Sequence, residues 1–107
     1  MFAVAEVAAF IRAHYAALPE DTATAWQNLT AEFRLPYPEY VGFWGGYDEV
    51  GLDGEPVVTG GGSAFTADIR IRFDPKNSTA TPIEPYRVYV VVRDGRLLID
   101  KTVRLGG

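Results

Sequence analysis

Residues 65–73 alternate without a break. Phe65, Ala67, Ile69, Ile71 and Phe73 are apolar, and Thr66, Asp68, Arg70 and Arg72 between them are polar. Successive side chains on a strand point to opposite faces, so this pattern specifies a strand with one buried face and one solvated face. Such a strand needs neighbours in a sheet and a layer to cover its apolar side. The neighbours can be read downstream. Arg87 to Arg93 is β-branched and aromatic and reads as a central strand. Asp94-Gly95 then forms a tight hairpin turn into a further strand over residues 96–103. The polar, proline-containing stretch from Asp74 to Thr81 connects the two long strands. Residues 47–59 read as another strand, interrupted at Asp53-Gly54 and followed by a turn at Gly60-Gly61-Gly62.

The covering layer comes from the first half of the chain. Val4, Val7, Ile11, His14 and Leu18 recur at spacings of three and four, one stripe of an amphipathic helix that Pro19 stops. A shorter helix is predicted from Asp21 or Thr22 to about Leu29, with Asp21 as its cap and Ala25, Trp26 and Leu29 on its apolar face. Leu35-Pro36-Tyr37-Pro38 breaks this pattern. A third helical segment begins near Pro38, carries Tyr40, Val41, Phe43 and Trp44, and ends at Gly45-Gly46. Helices first and antiparallel strands afterwards define an α+β domain. With 107 residues and no linker or repeat, residues 1–107 are read as one domain.

Charge and composition narrow the function. Fourteen acidic residues against ten basic ones leave a net charge of −4, which argues against a nucleic-acid partner. There is no cysteine, so disulfides, zinc-thiolate centres and thiol catalysis are excluded. The single histidine, His14, has no histidine or cysteine to share a metal with, so no metal or cofactor is expected. Asp48, Glu49, Asp53 and Glu55 do not match a calcium loop and read as a solvated strand edge. Gly60-Gly61-Gly62 lacks the helix and basic residue of a phosphate loop. No apolar run approaches the roughly 20 residues that span a bilayer, and no signal peptide is visible.

Several segments carry a family resemblance. They are His14-Tyr15-Ala16-Ala17-Leu18-Pro19, Ala25-Trp26-Gln27-Asn28-Leu29-Thr30, Tyr40-Val41-Gly42-Phe43-Trp44 and Asp94-Gly95-Arg96-Leu97-Leu98-Ile99-Asp100. In these, and in its order of elements, the chain resembles the nuclear-transport-factor-2-like superfamily, and its SnoaL-like members in particular. It is similar to the small domains that follow the transmembrane helix of actinobacterial membrane proteins, some serine/threonine kinases among them. The resemblance implies helices packed on the concave face of a curved, cone-like antiparallel sheet. It also implies an extracytoplasmic location, with membrane attachment through an upstream segment absent from this sequence; a cytoplasmic location is the alternative. A chain that starts within a helix suits a domain trimmed from a longer protein. Two positions depart from the family pattern: His14 stands where an aromatic is usual, and Leu97 where tryptophan is frequent.

The candidate ligand-binding residues are His14, Tyr15, Trp26, Trp44, Tyr47 and Tyr89. Aromatic bodies with a few polar tips are how small-molecule pockets are built, although each of these residues also has an ordinary reading as core. In isomerase-like relatives a carboxylate and a tyrosine inside the cone transfer protons, which singles out Asp100 with Tyr15 for comparison. A strand-end aspartate is more commonly solvated, so no catalytic residue is assigned. Buried His14 needs a partner: either Tyr or Asp from the sheet within a closed core, or an interior open to water or ligand. The short chain favours the closed core, with at most a small pocket near His14, Tyr15 and Tyr89. The expected function is a non-catalytic sensor or binding module for a protein or a small apolar ligand. The alternatives are a SnoaL-like isomerase, dehydratase or cyclase, and a module that dimerises through its sheet.

Overall fold

The computed structural model describes residues 2–106. Three helices come first: α1 (Val4–Ala17), α2 (Thr22–Gln27) and α3 (Tyr37–Trp44). Five strands follow: β1 (Tyr47–Leu52), β2 (Val57–Gly61), β3 (Ala64–Pro75), β4 (Ile83–Arg93) and β5 (Arg96–Arg104). The change from helix to strand falls where the sequence period changes, at residue 47. Asp21 caps α2 by accepting a hydrogen bond from the Thr24 amide at 3.2 Å. Pro38 sits in the first turn of α3, where its missing amide costs nothing. Among the described residues no helix is long and apolar enough to cross a membrane.

All strand pairings are antiparallel, and the sheet is strongly curled into a half-barrel. β3 is its spine, pairing with β4 on one side and with both β1 and β2 on the other. β1 and β2 run in the same direction along β3, with Leu52 opposite Ile71 and Val57 opposite Asp68. They are the two halves of one broken edge strand, as the interruption at Asp53-Gly54 suggests. The glycine triplet divides differently from the sequence reading: Gly60 and Gly61 lie within β2, and the turn is Gly62-Ser63. Gly60 has φ +113°, and a Cβ there would meet Ala64 O at 2.6 Å, so no other residue fits this close crossing. Asp94 and Gly95 both have positive φ, 53° and 76°, the mirror-image turn that matches strand twist.

The register settles which residues share a face. Phe65 lies opposite Val90, Ala67 opposite Val88 and Ile69 opposite Tyr86. Phe65, Ala67, Ile69, Ile71, Phe73, Val88 and Val90 are all buried under the helices. The other face carries Asp68 and Arg87, a two-pronged ion pair at 2.7 and 2.9 Å. Tyr89 is on this outer face too, with the Lys101 ammonium 5.7 Å from its ring centre.

One irregularity matters for the site. Tyr89 pairs with Lys101 but Val90 pairs with Ile99, so Asp100 is an extra residue, a β-bulge in β5. The bulge resets the alternation, letting both Ile99 and Thr102 reach the helix-covered side. Beside it, residues 28–30 add a short strap to the sheet edge. The Ile99 amide donates to Asn28 O at 2.7 Å, and the Thr30 amide donates to Ile99 O at 2.9 Å.

Candidate functional site

The helix-covered side of the sheet is not filled throughout. Toward the C-terminal end of β3 it leaves a cavity of about 350 Å³. α1 supplies His14 and Tyr15, α3 supplies Tyr40, Phe43 and Trp44, and the segment between α2 and α3 supplies Leu29, Phe33 and Leu35. Ile71, Phe73, Tyr86, Ile99 and Thr102 form the floor. The cavity meets solvent beside Leu35 and Phe43, which are 47% and 53% exposed although both line it. This corrects the expectation of a closed core. Large, rigid rings meet here at steep angles, 90° for Phe43 with Trp44 and 70° for Phe73 with Tyr86, and rings so arranged leave space between them.

His14 is buried, with 3% of its surface exposed. Its partner is neither Tyr nor Asp from the sheet. Asn28, at the end of α2, donates from Nδ2 to His14 Nδ1 at 3.2 Å. In that arrangement the neutral ring carries its proton on Nε2. Burial lowers the His14 pKa from 6.5 to about 4, so the ring is neutral at physiological pH. The Tyr15 ring meets His14 edge-on at 4.8 Å. Burial raises the Tyr15 phenol well above its ordinary range, with further increments from Tyr40 and Tyr86. Burial also pushes the Tyr40 phenol up to about 12. The polar tips in the cavity are therefore uncharged, chiefly hydroxyls that both donate and accept.

The structure brings together three of the six candidate residues, His14, Tyr15 and Trp44, as lining of one cavity. The other three lie elsewhere. Trp26 faces away: its Nε1 donates to Leu35 O at 2.8 Å, and the Arg34 guanidinium stacks 4.1 Å from its ring centre. Tyr47 stands behind the wall, packed on Phe73 at 5.3 Å and on Trp44 at 5.8 Å. Tyr89 is on the opposite face of the sheet, so no pocket joins it to His14. Asp100 and Tyr15 do not form a pair either. The bulge aims Asp100 at Thr30, whose hydroxyl donates to it at 2.9 Å, with Arg93 3.8 Å away.

Sequence reasoning left out much of the lining. Tyr86 carried no sequence signal, because the valine-rich run that follows it does not alternate and only the register on β3 sets it on the side of the buried Val88 and Val90. Phe33 and Leu35 lie in a proline-flanked segment without period, and Thr102 faces inward only because of the bulge.

Comparison with known proteins adds a fold and little else. No protein-family model matches the chain, and no curated protein matches its sequence. Among solved structures, the chain is similar to a SEC-C motif containing protein from Rhodopseudomonas palustris, determined in solution. The two superpose with a TM-score of 0.74 at 18% sequence identity, over 92% of this chain and 77% of the other. At that identity the likeness establishes a shared α+β architecture with a curled antiparallel sheet.

Proposed function

We propose that this chain is a non-catalytic binding module of the nuclear-transport-factor-2-like kind that holds a small, largely apolar molecule between its helices and its sheet. The observation that carries this reading is the solvent-connected cavity of about 350 Å³. It falls in the range of roughly 300–1,000 Å³ typical of small-molecule sites, and it has the usual apolar walls with a few convergent polar tips. The non-catalytic part rests on the polar groups. No carboxylate is among the residues lining the cavity, Asp100 is engaged by Thr30 outside it, and His14 Nδ1 is taken by Asn28. The sequence resemblance supports placing the module outside the cytoplasmic membrane as part of a larger bacterial membrane protein.

Titration with N-phenylnaphthylamine, a neutral apolar fluorophore, tests the reading. Saturable binding at one site is expected, lost in Thr102→Trp, which fills the floor, and retained in Asp100→Asn. Absence of binding both of this flat probe and of compact, branched ones to the wild-type chain would refute the binding reading. Turnover of a steroid-like or polyketide-like substrate, abolished by changing His14 or Asp100, would instead establish a SnoaL-like enzyme.

A further inference from the structure

The chain holds six tyrosines, six phenylalanines and two tryptophans, and seven of these fourteen line this cavity, whereas none of its twenty-four charged residues does. Aliphatic side chains would serve a neutral ligand as well as aromatic ones. Rings add something different, a negative electrostatic face that attracts positive charge.

The ring geometry is that of a box and not a slot. Phe43 meets Trp44 at 90°, Tyr40 meets Trp44 at 67°, and Phe73 meets Tyr86 at 70°. A flat ligand would need two parallel faces about 7 Å apart, twice an ordinary carbon contact. The near-parallel pair, Trp44 and Phe73 at 14°, has centroids 6.4 Å apart and admits nothing between them. Walls at steep angles suit a rounded, tetrahedral group. An anionic head finds no partner, since no lysine or arginine lines the cavity and buried His14 resists protonation. A primary ammonium is a strongly hydrated charge with three N–H donors, and the lining offers it no carboxylate and only a few hydroxyl acceptors. A fully alkylated ammonium has no donor to leave unsatisfied.

We propose that the molecule held in this cavity is an organic cation of the quaternary ammonium class, with its alkyl groups packed against the rings of Phe43, Trp44 and Phe73. This rests on the binding reading above and deepens it by naming the chemistry of the ligand. The discriminating probes are choline and dimethylbutanol, its neutral carbon isostere, followed through backbone amide chemical shifts of the intact chain. Choline is expected to bind at least about tenfold more tightly than the isostere, the increment that ring faces give a desolvated cation. Phe43→Leu should erase most of that preference, read as the ratio of the two affinities. Phe43 is half exposed, so this variant will fold, and Trp44→Leu provides an independent second wall. Equal or tighter binding of the isostere would overturn the proposal. So would binding of N-phenylnaphthylamine without choline, an outcome that leaves the binding reading standing. Failure of all three probes to bind would overturn both.

Discussion

The two ends of the same sheet face solve the packing problem differently. At one end Phe65, Ala67, Val88 and Val90 meet Val7 and Ile11 of α1, and each of these residues is 3% exposed or less. At the other end Ile71, Phe73, Tyr86 and Thr102 face α3 and the end of α1 across open space. Both ends obey the same alternation and belong to the same strands. The difference lies in side-chain shape. Val, Ile and Ala are small and close around the single ring of Phe65 at the packed end. Rigid rings joined at steep angles cannot, and His14 and the tyrosines need polar company that a sealed core would deny them. The contrast shows that an apolar strand face fixes where a core can form, whereas the residues opposite it decide whether that core closes.

The largest expected effect falls at the packed end. Ile11→Ala should cost about 2–5 kcal/mol in urea denaturation, because Ile11 is fully buried and its neighbours cannot collapse into the gap. Thr102→Val, at the hollow end, should change stability by about 1 kcal/mol or less. Equal losses at the two sites would break the comparison.

The next effect concerns the dryness of the hollow end. His14 has its folded pKa lowered to about 4 from 6.5. The unfolded chain therefore takes up a proton that the folded chain refuses. Stability contributed by neutral His14 is complete above about pH 6.5, is lost as the pH falls toward about 4, and declines no further below that. The loss should approach roughly 3 kcal/mol, read as the difference between wild type and His14→Gln. An imidazole carbon spectrum that titrates near pH 6.5 in the folded protein would show that the ring is wet.

The third loss belongs to the strap. Asn28→Ala removes the partner of His14 Nδ1 and should cost about 1–3 kcal/mol, without disturbing the backbone bridge between residues 28–30 and Ile99. Slow amide exchange at Ile99 in the variant would check the second half of that statement. A cost near zero would mean that water in the cavity substitutes for Asn28.

What the sequence determined by itself is local. Period two over residues 65–73, period three to four over 4–18, and the turn residues Asp94-Gly95 are properties of neighbouring residues, and backbone sterics translate them into strand, helix and hairpin. Those signals also placed His14 on the covered side. Tertiary structure decided the rest. The run Val90-Val91-Val92 has no alternation to read, so only its register on β3 puts Tyr86 inside and Tyr89 outside. The bulge at Asp100 turns that aspartate toward Thr30 and not toward Tyr15, and brings Thr102 into the floor. Asn28 finds His14 only because the strap docks on β5, a pairing between segments about seventy residues apart in sequence. The hollow itself is the gap between side chains from six separate segments, a remainder of packing that no local pattern can encode.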